Sequence, residues 1–379
     1  MIPSLSQVRR FVFWEPCISP HTHHLLVALA DHLPGVQVIS CADTDLPPER
    51  RALGWEVPRS AQIATIVAPD RAQIQRLVEE APEASIHVLN GLRHIPTIVT
   101  ATEFLRRVKT QVVMQHEPRV FEGLGGYLRL FQSWLTESWH RQHLRAVLAV
   151  GRNGTPWFRR AGYAVDRIFP FAYFIPPPAA DQPRATAEDR LTVGYVGRLI
   201  RMKGVPDLID ALPHLGPQAR LLLAGRGAEE AALTAQAQAA GITADFRGVI
   251  PNHAIGPFLA SLDVLVLPSR SMDDGWGVVV SEALMQGVPV VATPQVGASI
   301  MLDDPRNGRC VPANSPIAIA HAIQDLVRSG ATTAEARADR RMRTCRQLTA
   351  EAGATHLIAI LRHLLDKTPR PAPFYLAGT

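Results

Sequence analysis

Val193-Gly194-Tyr195-Val196-Gly197-Arg198-Leu199-Ile200-Arg201-Met202-Lys203-Gly204 leaves a β-rich run, turns on glycine and enters a helical pattern near Val205. Gly197 permits a tight turn or a close approach of backbone to a ligand. Arg198 and Lys203 then fall at the mouth of a helix N-terminus, where anions are already favoured. Fixed amide donors plus two cations suit a diphosphate. The same spacing also fits an ordinary strand–turn–helix with exposed cations, and on spacing alone both readings stand.

Outward from this stretch, strand and helix patterns alternate. Downstream, strands are expected at 192–196, 220–224, 263–267 and 288–292, with a short one beginning at Asp245-Phe246-Arg247. Helices are expected at 205–212, 229–239 and 278–285. Upstream, strands fall at 8–14, 36–40, 62–67, 85–89, 111–115 and 146–150. Helices fall at 23–32, 71–80 and 98–107, and a long amphipathic stretch covers 127–144. Near-continuous apolar runs such as Val264-Leu265-Val266-Leu267 indicate parallel strands covered on both faces. The fold class expected is therefore α/β, two Rossmann-like doubly wound domains facing a cleft.

The proline run Ile175-Pro176-Pro177-Pro178-Ala179-Ala180-Asp181-Gln182-Pro183 holds neither helix nor central strand and reads as a semi-rigid linker. It divides the chain into an acceptor-side domain (1–175), a linker (176–187), a second domain (188–345), and a final helix with a tail (346–379). The helix at 354–365 is expected to pack back onto the first domain, and the tail from Pro369 to fray.

Composition agrees with two globular domains. The chain has 379 residues, 47% hydrophobic and 19% charged, enough to bury sizeable cores. No apolar run reaches the roughly 18 residues of a membrane span. Met1-Ile2-Pro3 leads into polar residues and Glu15 interrupts Phe11-Val12-Phe13-Trp14, so no signal peptide is expected. Cys17, Cys41, Cys310 and Cys345 are scattered without a CxxC pair, which fits a reducing cytoplasm. Net charge is +5, and residues 1–180 hold 19 Lys+Arg against 15 Asp+Glu, with nine of the 14 histidines. A mildly basic first half suits an anionic partner such as a phosphate-bearing lipid or a membrane surface, and equally a generic soluble surface. Nucleic acid is not expected, since no dense basic run alternates with aromatics. Only three lysines occur, Lys109, Lys203 and Lys367, among many arginines. A lysine kept against that bias singles out Lys203.

A second constellation is Ser269-Arg270-Ser271-Met272-Asp273-Asp274-Gly275-Trp276-Gly277-Val278, running into Val279-Val280-Ser281-Glu282-Ala283. A loop with Asp274 and two glycines opens a helix, and Glu282 lies about 6 Å along it at ~1.5 Å per residue. Glycines admit a ligand to the backbone, and free first-turn N–H groups can meet phosphate. The alternative is that Asp273 or Asp274 caps the helix and Glu282 is a solvated charge.

In order, VGRL–x–x–x–KG, a strand ending AGRG, FRG followed by DVLVLPS, and DGWGVVVSEALMQGVPVVAT resemble the retaining glycosyltransferases of family 4, which have the GT-B fold. The resemblance is close over 192–293 and extends to the first 175 residues only in layout. It implies that Arg198 and Lys203 bind the pyrophosphate of a nucleotide-sugar donor. It implies that Asp274 and the backbone of Gly275-Trp276-Gly277 and Val278 contact the transferred sugar, and that Glu282 contacts the ribose. Gly197 and Gly225 would line the donor, and Gly248-Val249-Ile250 would lie against the base. The family's first paired carboxylate is a glutamate. Here it is Asp274, one methylene shorter, so the loop must sit closer or a water must bridge.

In the first half, Gln115-His116-Glu117-Pro118 ends a strand. By resemblance His116 sits beside the donor sugar, with Glu117 a weaker candidate; a plain strand-end histidine is the alternative. The family's glycine-rich loop after the first strand is replaced by Trp14-Glu15-Pro16-Cys17-Ile18-Ser19-Pro20-His21-Thr22-His23-His24, whose role stays open. His21, His23 and His24 lack a carboxylate or Cys to complete a ligand set, so no metal site is expected. Asp43-Thr44-Asp45 copies a DxD pattern in the wrong context and reads as a loop that caps or turns. Residues 119–130 read as a mobile acceptor-side loop.

The function expected is transfer of a sugar to a hydroxyl of a glycan or lipid-linked acceptor in cell-surface polysaccharide synthesis, with no cofactor or metal. The expected location is the cytoplasm, with peripheral contact at the inner face of the plasma membrane. Rivals of the same fold are a nucleotide-sugar epimerase or hydrolase, which needs no acceptor, and a non-catalytic sugar-nucleotide-binding subunit. A nicotinamide oxidoreductase fits poorly, because Gly225-Arg226-Gly227-Ala228 lacks the third glycine of a dinucleotide fingerprint. A pyridoxal-dependent phosphorylase lacks a lysine in a supporting context.

Overall fold

Apolar runs of four to eight residues between turn-forming segments become the strands of two separate sheets in a computed structural model, which describes residues 4–57, 60–178 and 190–376. Residues 4–176 and 347–376 form one unit, and the described residues from 177 to 346 form the other. The part of the expected linker from Ala179 onward lies outside the described residues.

The first unit holds seven strands: β1 (Arg10–Cys17), β2 (Gln37–Thr44), β3 (Ile63–Val67), β4 (Ser85–Leu89), β5 (Gln111–His116), β6 (Leu144–Val150) and β7 (Ile168–Phe171). Their spatial order is β3-β2-β1-β4-β5-β6-β7 and every ladder is parallel. The second unit holds β8 (Leu191–Val196), β9 (Ala219–Ala224), β10 (Thr243–Phe246), β11 (Val264–Leu267), β12 (Val290–Ala292) and β13 (Gly308–Cys310). Their order, β10-β9-β8-β11-β12-β13, is that of a doubly wound dinucleotide-type sheet. Chain order reverses between β1 and β4 in one sheet and between β8 and β11 in the other. Ligands of such sheets bind outside the carboxyl ends of the strands at that reversal.

Helices cover both faces, so the central strands read as unbroken hydrophobic runs. Val264, Leu265 and Val266 of β11 have no exposed surface. Burial of side chains of this size stabilises by about 1.5–3 kcal/mol each. The helix Ala334–Leu348, which the sequence pattern did not reveal, closes the second unit with buried charge. Arg340 donates to the backbone oxygens of Arg306, Gly287 and Ala331, and burial pushes its guanidinium down to about 10. A buried cation is tolerable only with its donors satisfied in this way.

Several expectations need correction. β1 runs on to Cys17, pairing Cys17 with Thr44, so Glu15 and Pro16 are strand rather than loop residues. β10 ends at Phe246 instead of beginning near it, and Gly248, at φ +63°, turns the chain out. The stretch 127–144 is not one helix. It divides at Glu137 into Gly123–Thr136 and Ser138–His143, and Leu144 opens β6. The acceptor-side loop expected over 119–130 is thus helical from Gly123. Asp43 and Thr44 lie in β2, and the Asp43 carboxylate accepts from the N–H and hydroxyl of Thr97, capping helix Pro96–Leu105 from a neighbouring strand.

The final helix, Ala350–Asp366, starts at Thr349, whose hydroxyl accepts from the Ala352 N–H. It packs on helix Pro20–His32, where His32 meets Glu351 at 2.6 Å. The tail beyond it is tied down rather than frayed through Leu376: Arg370 donates to the Asp166 carbonyl at 2.6 Å and lies 4.1 Å over the Phe169 ring, and Phe374 is buried against Phe174. Contact at the start of this helix depends on Gly353, where a Cβ would run into the Phe174 ring. Gly353→Val is therefore expected to destabilise the first unit by about 1–3 kcal/mol, read as a lowered thermal midpoint; an unchanged midpoint would mean the helix end is not docked there.

Candidate functional site

The carboxyl ends of β8 and β11 flank the reversal in the second sheet, and the chain after each of them converges there. After β8, one 3-10 turn, Arg201–Lys203, precedes helix Val205–Ala211. Gly204 stands between them at φ +67°, and a Cβ there would collide with the carbonyl oxygen of Pro268, just beyond β11. Only glycine allows the two segments to touch. The Arg270 N–H donates to the Met202 carbonyl at 2.8 Å, and the Arg270 guanidinium clasps the Asp207 carboxylate at 2.6 and 2.9 Å. A bidentate pair of this kind fixes orientation as well as charge.

Held by this frame, Lys203 is 7% exposed and its ammonium is bonded to the Asp274 carboxylate, whose other oxygen accepts from the Ser269 hydroxyl. Asp274 is thus no helix cap. The N-cap of helix Val278–Met285 is Gly277, at φ +80°, without a side-chain cap bond. The frame that sequence reasoning missed comprises Ser269, Arg270 and Asp207. A serine and arginine straight after an apolar strand were the only trace of it.

Glu282 lies on the helix Val278–Met285, half-buried, and among the described residues no donor or cation meets its carboxylate. Burial alone pushes its carboxyl up to about 7, so it is not a solvated helical charge. Trp276 is fully buried, its indole N–H donating to Ser281 at 2.9 Å, so only its backbone can face a ligand. The Gly275 and Trp276 carbonyls accept from Gly297 and Ala298 at 2.9 and 2.7 Å, which pins the glycine loop.

The other carboxyl-end turns are stitched edge to edge. The Gly197 N–H donates to Ala224 at 2.9 Å, and the Gly225 N–H to Gly248 at 2.7 Å. Gly197, Gly225 and Gly248 therefore lie along one rim, with Val249 exposed and Ile250 half-buried beside them. Arg198 is exposed, and its carbonyl accepts from the Tyr195 hydroxyl at 2.8 Å. Chemically the site offers a helix N-terminus at Gly277, a lysine held by a carboxylate, and a desolvated carboxyl on that helix: fittings for an anionic ligand that also carries hydroxyls.

In the first unit, His116 ends β5, half-buried, its ring edge-on to Phe158 with centroids 6.3 Å apart. Its Nδ1 meets the Glu117 carbonyl oxygen, which can only accept, so Nδ1 donates there. Glu117 accepts from the Tyr173 hydroxyl. His21, His23 and His24 lie in the first turns of helix Pro20–His32. His21 sits edge-on to Trp55, and burial, with Arg50 and His24 nearby, pushes it down to about 4. Among the described residues no three or more His, Cys, Asp or Glu side chains are grouped to hold a metal ion.

The two sheets, each parallel and doubly wound, place the chain among the α/β proteins. Residues 178–344 match the family described as glycosyl transferases group 1. Over 161 residues the chain is 34% identical to the GDP-mannose-dependent alpha-(1-6)-phosphatidylinositol dimannoside mannosyltransferase of Mycobacterium tuberculosis (strain ATCC 25177 / H37Ra), covering 41% of this chain and 39% of the relative. Over 142 residues it is 33% identical to the lipopolysaccharide core biosynthesis glycosyltransferase LpsE of Rhizobium meliloti (strain 1021), covering 38% and 41%. The chain thus matches about two fifths of the length of these curated relatives. In structure it resembles Anabaena Alr3699/HepE in complex with UDP, with a TM-score of 0.70, 16% identity, and 92% and 98% of the two chains covered. It also resembles the sucrose-phosphate synthase of Thermosynechococcus elongatus, with a TM-score of 0.65, 20% identity, and 95% and 100% covered. At these identities the likeness is one of fold, the GT-B fold.

In the segment after the first expected strand, whose role the sequence leaves open, Glu15 is buried in β1. Its Oε2 accepts from Ser40 at 3.0 Å, and Oε1 has no partner among the described residues. Burial pushes its carboxyl up to about 7, against the pull of hydrogen bonds from Ser40 and Thr22. Below about pH 4.5 the carboxyl is protonated in the folded and unfolded chain alike. Between there and about 7 only the unfolded chain releases the proton, so the fold loses stability as pH rises across that window. Glu15→Gln is expected to raise stability by up to about 3 kcal/mol at pH 8 and to change it little at pH 4. Thermal unfolding at the two pH values tests this; an equal effect at both would remove the carboxyl as its source.

Proposed function

We propose that the protein is a retaining hexosyltransferase. It moves a sugar from a nucleotide-diphosphate donor to a hydroxyl of a glycan or lipid-linked acceptor, in the assembly of a cell-surface polysaccharide or glycolipid. The observation that carries the reading is the gathering of Lys203, Asp274 and Ser269 at the strand-order reversal of the second sheet, beside a rim of glycine turns. Relatives named for GDP-mannose dependence and for lipopolysaccharide core synthesis support the donor and acceptor classes.

Lys203 and Arg198 carry positive charge toward the donor's pyrophosphate, together with the helix N-terminus that Gly277 opens. As the bond between the sugar's anomeric carbon and the pyrophosphate oxygen breaks, negative charge grows on the leaving group. Charges fixed in advance stabilise it without reorganisation. These groups meet the electrostatic demand, so the reading needs no divalent metal and no cofactor.

The acceptor hydroxyl attacks the same face of the sugar, its oxygen bonds to the anomeric carbon, and its proton passes to the departing phosphate oxygen. Asp274 and the backbone at Gly275, Trp276, Gly277 and Val278 position the transferred sugar. Glu282 takes the ribose, Val249 and Ile250 flank the base, and Gly197 and Gly225 admit the phosphates. Among the described residues no disulfide joins Cys17, Cys41, Cys310 and Cys345, in keeping with the reducing, cytoplasmic compartment we propose.

Lys203→Gln and Glu282→Ala are each expected to lower turnover at least about 100-fold with the fold retained, the usual loss for a transition-state charge partner or donor anchor. The protein is incubated with a panel of UDP-, GDP-, ADP- and dTDP-sugars. Thermal midpoint and nucleotide release are followed with and without a polysaccharide or lipid-linked acceptor. A transferase shows acceptor-dependent release. Release independent of acceptor would favour a hydrolase or epimerase, and donor binding without turnover a non-catalytic subunit. Wild-type rates in both variants would sink this site.

A further inference from the structure

The helix Gly123–Thr136 is turned inside out for a helix on a globular surface. Its buried residues are Gly126 and Ser133, with only Leu130, half-buried, packing against the core among its large apolar side chains, and it is lashed down by two arginines. Arg119 donates to the Arg129 carbonyl at 3.0 Å and to the Ser133 hydroxyl at 3.1 Å. Arg141 donates to the Ser133 carbonyl at 3.1 Å and the Trp134 carbonyl at 2.6 Å. The opposite face carries Leu124, Tyr127, Leu128, Phe131, Trp134 and Leu135, each between 58% and 84% exposed. Spacings of three and four residues place them in one stripe, along a helix about 21 Å long. Single exposed apolar residues need no explanation; a contiguous stripe of six does.

The rim of the stripe is cationic. Residues 119–160 contain seven arginines and two glutamates, a net +5, which equals the net charge of the whole chain. Of the two acids, Glu137 is buried and paired with Arg93, which leaves Glu122 at the surface. Arg129, Arg159 and Arg160 are exposed, and Arg160 lies 5.2 Å over the Phe121 ring.

We propose that this helix lies in the interface of an anionic lipid bilayer, its apolar stripe among the acyl chains and its arginines at the head groups. Leucine and aromatic side chains on one face with arginines beside them are the composition of an in-plane interfacial helix. Trp134 and Tyr127 have the amphipathic rings that settle at head-group depth. A second copy of the chain is a poorer occupant, because self-association would bring the two arginine rims together. The contact is peripheral: among the described residues no helix is long and apolar enough to cross a membrane. The inference rests on this surface alone and stands apart from the transferase reading.

The test is flotation of the full chain, without substrate, with vesicles of phosphatidylcholine alone or with 30 mol % phosphatidylglycerol (an order-of-magnitude stand-in for an anionic leaflet, ~30%). Binding is expected to the anionic vesicles only, to weaken when salt shortens the Debye length, and to fall at least about tenfold in Leu128→Glu with Phe131→Glu. Both side chains point to solvent, so the variant's thermal midpoint is expected to match wild type. Should that variant misfold, Leu124→Ser with Leu128→Ser carries the same comparison. No flotation of the wild type, equal flotation with neutral vesicles, or flotation unchanged in a folded variant would overturn the proposal. So would a dimer in light scattering that the variant abolishes, if vesicles do not bind.

Discussion

The bond between Lys203 and Asp274 is the constraint on which the second unit's site depends. It joins a residue just past β8 to one just past β11, across the place where the sheet's strand order reverses. A lysine that is almost fully buried must have its charge compensated, and Asp274, steadied by Ser269, does so. Asp274 in turn is held where its loop meets Lys203.

Around that pair, the scaffold is rigid by design of its backbone contacts. Gly204 lets the turn after β8 rest on the Pro268 carbonyl, and Arg270 grips Asp207 on the helix beyond. The glycine loop after Asp274 is pinned by Gly297 and Ala298. A site built on such supports can present charge and amide dipoles to a ligand already oriented, which is where electrostatic stabilisation is most effective.

The first unit is specialised differently. Its β1 end has no glycine-rich turn but a buried, half-satisfied Glu15 beside histidines that burial keeps neutral. Its outer helix Gly123–Thr136 shows apolar residues to solvent and keeps glycine and serine inside. The two features concern the first unit only.

Much of this was legible beforehand. Unbroken apolar runs such as Val264–Leu267 announce a parallel sheet because strands covered on both faces need no polar alternation. The spacing from Gly197 to Lys203, and from Asp274 to Glu282, exposed both halves of the candidate site through local turn and helix geometry. Helix Ala334–Leu348 escaped notice because its polar arginines are buried against carbonyls, so its periodicity misstates its inner face. The sequence by itself determined the alternation of strands and helices and the residue types at the rim, since those depend on neighbours along the chain. Only the tertiary structure decided that Lys203 meets Asp274, that Glu282 is desolvated and Trp276 interior, and which face of Gly123–Thr136 looks outward. Those outcomes depend on partners brought together from far apart in the chain, and local periodicity carries no record of them.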